Sequence, residues 1–114
     1  MSECVFCRIV ARKVPASIVQ DDGDVLAFRD LNPQAPVHLV LIPKSHIASV
    51  SDVTMEQAPI VGQLLGLANR LAKQAGLMDS GYRLVINCGS GAGQSVFHLH
   101  LHLLGGRPFR WPPG

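Results

Sequence analysis

A chain of 114 residues makes one domain, 1–114, with 47% hydrophobic residues, enough for a packed core and too many for disorder. A net charge of +2 with scattered Lys and Arg, and only 5% aromatics, argues against a nucleic-acid surface. The longest apolar stretch, Val37 to Ile42, is interrupted by His38 and is far too short for a membrane span; the start from Met1 to Arg8 lacks a targeting pattern, and three cysteines, an odd number, suit a reducing, cytoplasmic setting.

Cys4 to Lys13 predicts a short helix closed before Pro15. Ile18 to Gln20 and Val25 to Arg29 read as strands joined by the turn Asp21-Asp22-Gly23-Asp24. A loop with two prolines, residues 31–36, leads to a mostly apolar and central strand over Val37 to Pro43. Thr54-x-x-Gln57 has the form of a capping box, and Pro59 separates it from the helix that follows. That helix carries Ile60, Val61, Leu64, Leu65, Ala68, Leu71, Ala72 and Ala75 on the 3.6-residue period and ends at Gly76. Its apolar surface exceeds what one small sheet covers, which predicts a homodimer. Strands over Tyr82 to Cys88 and Val96 to Leu104 complete an α+β arrangement: a five-stranded antiparallel sheet, one long helix and a short N-terminal helix. The end, Arg110-Trp111-Pro112-Pro113-Gly114, puts the only Trp where its ring gains by docking, on this domain or on a partner.

The last strand carries the chemistry. Strict alternation over residues 96–104 puts His98, His100 and His102 on one face and Phe97, Leu99, Leu101 and Leu103 on the core side. Buried imidazoles all need partners, so a purely structural strand is built more cheaply from other residues. Along a straight strand the outer pair lies about 13 Å apart, too far for one ion to bind all three. Phosphoryl chemistry fits better, because a neutral imidazole is a nucleophile near neutral pH and its neighbours carry protons or stabilise charge. Immediately upstream, Gly89, Gly91 and Gly93 let backbone N–H groups approach an anion, although the same glycines also suit a plain hairpin loop.

The row His98-Leu99-His100-Leu101-His102-Leu103-Leu104 resembles the histidine-triad signature. Phe28-Arg29-Asp30, Pro33 to His38, Ile42 to His46, Asn87-x-Gly89, Gly93-Gln94-Ser95 and Trp111 to Gly114 extend the similarity over almost the whole chain, toward the Hint branch of histidine-triad nucleotide-binding proteins. The resemblance implies a HIT-like α+β fold whose sheets join across a homodimer. It implies a purine nucleoside phosphoramidase that cleaves the P–N bond of AMP-amidate or AMP-lysine through a nucleotidyl-histidine. No cofactor is implied for catalysis. His100 would be the nucleophile, Ser95 would assist the leaving group, His102 would bind phosphate oxygens and His38 would support the imidazole row. Asp30 would hold the ribose hydroxyls. Asn87 and the backbone of Gly93, Gln94, Ser95 and Val96 would contact ribose and phosphate. Val5, Phe6, Ile9, Phe28 and Leu31 would form the purine slot, and Trp111 would reach the leaving-group side of the neighbouring subunit's site.

Cys4-x-x-Cys7 is half a zinc site, or simply two buried cysteines that hold no metal. Zinc-containing bacterial histidine-triad proteins resemble this chain in pairing such a motif with histidines placed like His46 and His98; four protein ligands make a structural site. Cys88 has no role in this reading. The alternatives are a zinc-stabilised nucleotide-binding module with little turnover and a dinucleoside polyphosphate hydrolase, the latter disfavoured by the Trp-Pro-Pro-Gly end.

Overall fold

The computed structural model describes residues 3–114; the first two residues of the start searched above for a targeting pattern lie outside the described residues. The elements run α1 (Val5–Val10), β1 (Ile18–Asp22), β2 (Val25–Arg29), β3 (Val37–Pro43), α2 (Ala58–Gln74), β4 (Tyr82–Val85) and β5 (Leu101–Gly105), with one-turn 3-10 segments at Val50–Asp52 and Ser90–Ala92. The five strands form one sheet in the order β1-β2-β3-β5-β4, antiparallel at every pairing. Among the described residues no helix is long and apolar enough to cross a membrane.

β3 is central, and period-two geometry divides its residues between two layers. Leu39 and Leu41 join Val25, Ala27, Leu101 and Leu103 in the main core against α2, where Leu64, Leu67, Ala68, Leu71 and Ala72 are buried. Val40 and Ile42 face the opposite way, with Leu26 and Phe28, toward Ile9 and Phe6 of α1. His38 and His102 lie on this second face, beside the smaller cluster.

Local chemistry fixes the ends of α2. The reciprocal pair forms in the turn just before α2, with Thr54 N–H donating to Gln57 Oε1 (3.1 Å) and Gln57 N–H to Thr54 Oγ1 (3.3 Å), while Gln57, the N-cap of α2, gives the helix itself no side-chain bond. Pro59 sits in the first helical turn, where its missing N–H costs nothing. At the far end Gly76 adopts φ +75°, Gly76 N–H bonds Lys73 O and Leu77 N–H bonds Ala72 O, a Schellman closure that buries Leu77. A side chain at Gly105 would collide with Leu77, so helix end and strand end are fitted to each other. Leu65 and Ala75, expected on the buried stripe, face outward, and Leu67 takes the inward position instead.

Four expected elements change their bounds, the first being β1, which runs on through Asp21 and Asp22 of the expected turn. α1 is shorter than Cys4 to Lys13, with Cys4 as its cap, and β4 stops at Val85, three residues before Cys88. β5 begins only at Leu101, so His98 and His100 precede the strand. The β3–β5 register pairs Leu41 with Leu101; carried further it would set Leu99 against Pro43, which has no N–H to donate. The chain leaves the ladder, Leu99 N–H bonds Ile47 O, and Phe97 emerges half-exposed rather than in the core. β1, at the sheet edge far from β4, carries a bulge between Ile18 and Gln20, and its Asp21 and Asp22 pair with Arg12, Lys44 and Arg70.

Candidate active site

Because the chain departs from the ladder before Leu101, the three histidines do not form one row. His100 and His102 open onto a cleft of about 590 Å³, with ring centroids 5.0 Å apart. His98 turns away, fully buried, with its ring 5.0 Å from that of His46. Val5, Phe6 and Ile9 of α1, with Phe28 and Leu31, form the apolar wall of the cleft; Phe6 and Phe28 meet edge-on at 5.4 Å. Asp30, His38, Asn87, Gly93, Ser95 and Val96 line the same space. Gly93 has φ +95°, a conformation that favours glycine, and it turns the loop past Asn87.

Backbone groups dictate the state of each imidazole. His100 Nδ1 lies 2.8 Å from the carbonyl oxygen of His98, which can only accept, so Nδ1 carries the proton and the neutral ring leaves Nε2 bare. The backbone N–H of Gln34 donates to His38 Nδ1 (3.0 Å), so neutral His38 carries its proton on Nε2. That Nε2–H faces His102 Nδ1 at 2.9 Å, leaving His102 with an Nε2–H donor. Burial holds His38 below the usual histidine range, against the pull of Asp30. Burial also pushes His102 down to about 4, helped by His100 and His38 and opposed by Asp30. His102 is therefore a neutral donor at physiological pH.

Two expected site residues make further contacts. Asp30 Oδ1 accepts from Asn32 N–H (2.8 Å), while Oδ2 lies 3.3 Å from His38 Nε2 and 3.9 Å from His102 Nδ1, so the carboxylate faces the imidazole pair as well as the cleft. The Gln94 side chain is buried and committed to backbone: Gly89 N–H donates to Oε1, and Nε2 donates to Ala48 O and Val96 O. It braces the glycine loop, leaving only its backbone for a ligand. Trp111 is 83% exposed and does not line this chain's cleft. The tail before it lies along β4, where Arg83 donates to Arg110 O and stacks with Arg107 on Phe109. Exposed Cys88 sits by Ser49, Ser51 and Asp52, its thiol held below the usual range chiefly by hydrogen bonding to Ser51.

Among the described residues two groups offer three or more ligand atoms close together: Cys4, Cys7, His46 and His98, and Asp30, His38 and His102. Tautomers separate them. His98 Nε2–H donates to Pro43 O (2.8 Å), which frees Nδ1; that atom lies 3.4 Å from Cys4 Sγ, 3.5 Å from Cys7 Sγ and 3.2 Å from His46 Nδ1. The edges of a tetrahedral zinc site with N and S ligands are roughly 3.3–3.8 Å, so the donor set and its spacing fit zinc. In the second group the Gln34 amide keeps the proton on His38 Nε2, and a protonated nitrogen cannot ligate; that group is a hydrogen-bond relay. Sequence reasoning missed Gln34 and Pro43, which act through the backbone and leave no side-chain signal.

A family model described as the HIT domain matches residues 11–109. The chain belongs to the HIT domain family. A HIT-like protein of Synechocystis is 52% identical over 112 residues, covering 98% of this chain and 97% of its own. Protein HitA of Neisseria gonorrhoeae is 45% identical over 105 residues, covering 92% of this chain and 97% of its own. The crystal structure of a HIT family hydrolase from Legionella pneumophila superposes with a TM-score of 0.96 at 51% identity, covering 98% of this chain and 100% of that one. A histidine triad protein from Clostridium difficile gives 0.93 at 40%, covering 96% of each chain. The expected five-stranded α+β fold is thus the HIT fold.

Proposed function

We propose that this HIT domain is a purine nucleoside phosphoramidase, hydrolysing the P–N bond of AMP-amidate or AMP-lysine. The observation that carries the reading is the hydrogen bond from His100 Nδ1 to the His98 carbonyl, which leaves a bare Nε2 beside a neutral donor, His102. His100 Nε2 attacks phosphorus, the P–N bond breaks, and the amine leaves with a proton relayed through the Ser95 hydroxyl. His102 Nε2–H and the backbone N–H groups of the glycine loop stabilise the charge that grows on the phosphoryl oxygens. Water then attacks phosphorus, and AMP leaves as His100 regains its lone pair. Val5, Phe6, Ile9, Phe28 and Leu31 hold the purine, and Asp30 and Asn87 hold the ribose. The Legionella protein's description as a hydrolase supports this chemistry.

Cys4, Cys7, His46 and His98 would hold zinc, a closed four-ligand cross-link with no open position for catalysis. A reducing cytoplasm would keep both thiols able to ligate. The working unit is a homodimer, in which the outward Leu65, the exposed Trp111 and the free edge of β4 find cover. The deciding assay compares turnover of AMP-amidate, AMP-lysine and diadenosine polyphosphates. The phosphoramidates should be preferred, and His100→Ala should abolish turnover while AMP binding stays within about tenfold. Preference for the polyphosphates would favour the dinucleoside hydrolase, and tight AMP binding with no turnover would favour a binding module. A nucleotide adduct trapped on His102 instead of His100 would overturn the assignment.

A further inference from the structure

The thiol–imidazole cluster and the cleft share one residue. His98 gives Nδ1 to Cys4, Cys7 and His46, and its backbone carbonyl to the Nδ1–H of His100. A second link is Phe6, which lies between the two cysteines in sequence. Its ring stands edge-on to His98 (5.9 Å), to His100 (5.2 Å) and to Phe28 (5.4 Å). Whatever draws Cys4 and Cys7 against His98 therefore also sets the purine wall and the acceptor that fixes the tautomer of His100. α1 has six residues, far below the length that sustains an isolated helix, and Ile9 is its only buried residue.

We propose that the four-ligand centre positions the nucleotide cleft, and that Cys4 and Cys7 form an oxidation site that dismantles it. The proposal rests on the nucleotide reading above. The oxidant is hydrogen peroxide. One thiolate attacks a peroxide oxygen, the O–O bond breaks, and hydroxide leaves a sulfenic acid behind. The second thiolate attacks that sulfur, the S–S bond forms, and a second hydroxide departs. Two electrons pass from the sulfurs to the peroxide, and the divalent ion is released because two imidazoles alone hold it weakly. The ligand atoms of Cys4 and Cys7 already lie within 4.8 Å and both residues are partly exposed. Closing them to an S–S bond of about 2.05 Å draws both side chains off His98.

The test uses the zinc-loaded full chain with Cys88→Ser, which removes the exposed thiol outside the cluster. Hydrogen peroxide is added, and three quantities are followed: zinc release to a chromogenic chelator, AMP affinity by calorimetry, and the His100 Nδ1–H resonance by NMR. Zinc should leave one ion per chain, AMP should bind roughly tenfold more weakly as Phe6 loses its place, and the resonance should shift or vanish. A thiol reductant with added zinc should restore all three. A metal that serves only stability would lower the unfolding temperature on release yet leave AMP affinity and the resonance unchanged, which would overturn the proposal. So would a protein that takes up no zinc. If the loaded protein binds no AMP, the nucleotide reading fails, and the resonance alone then judges the coupling.

Discussion

Replacing His102 by Gln should flatten the acid side of the protein's stability profile. In the folded state burial brings His102 from the usual 6.5 to about 4, so between those pH values the unfolded chain binds more protons than the folded one. Stability conferred by a neutral His102 is complete above about pH 6.5 and falls as pH drops toward 4. At about 1.4 kcal/mol per pH unit the gap corresponds to about 3 kcal/mol. The side chain is only 19% exposed, so solvent screening trims this modestly, to about 2–3 kcal/mol. His38 and His98, also held low by burial, titrate in both proteins and largely cancel in the comparison. Urea unfolding at a series of pH values from about 7.5 to 4, with zinc and protein concentrations fixed, reads the difference directly. Wild type should lose about 2–3 kcal/mol more than His102→Gln over that range. Parallel profiles would mean that His102 titrates normally, and its role as a neutral donor would fall with it.

Asp30→Asn should weaken ribonucleotide binding more than binding of a 2′-deoxy analogue, measured by calorimetry; equal losses would remove Asp30 from the ribose. Because the same carboxylate faces His38 and His102, this variant should also slow turnover of the deoxy substrate, an effect absent if Asp30 served the sugar alone. Deleting residues 111–114 should alter the ranking of amidate against lysyl leaving groups while purine preference stays fixed, and ultracentrifugation should show a dimer; an unchanged ranking or a 12.2 kDa species alone would contradict the role given to Trp111. Leu64→Ala, at a fully buried position of α2, should cost about 2–5 kcal/mol by urea denaturation; a loss under about 1 kcal/mol would show that the face is not packed.

Elements governed by local chemistry were legible in the sequence. The capping pair Thr54 and Gln57, the stop at Gly76 and the apolar, central β3 all follow from neighbouring residues. The histidine strand misled because alternation specifies two faces and not a pairing partner. What ended the ladder was Pro43, distant in sequence and opposite Leu99 only once β3 and β5 are in register. The same limit hid the split of the triad: Cys4-x-x-Cys7 reads as half a metal site, but the separation of His98 from its two neighbours depends on where the chain leaves the sheet. Gln94 looked like a loop residue near phosphate, and only the backbone groups around it reveal a brace. Tautomers written by Gln34 N–H and Pro43 O have no side-chain signature.

The two borders of the sheet are unlike, and this bears on how far assembly can proceed. β1 is bulged, and its acidic residues are drawn into ion pairs with Arg12, Lys44 and Arg70, so it makes a poor template for another strand. β4 is straight in register with β5 and has an unpaired outer side. Two copies meeting at β4 by a two-fold axis would consume both receptive borders and present β1 at each end of the enlarged sheet. Growth would stop at a pair: the bulge at one end of the molecule would keep the adhesive edge at the other from propagating into a fibre.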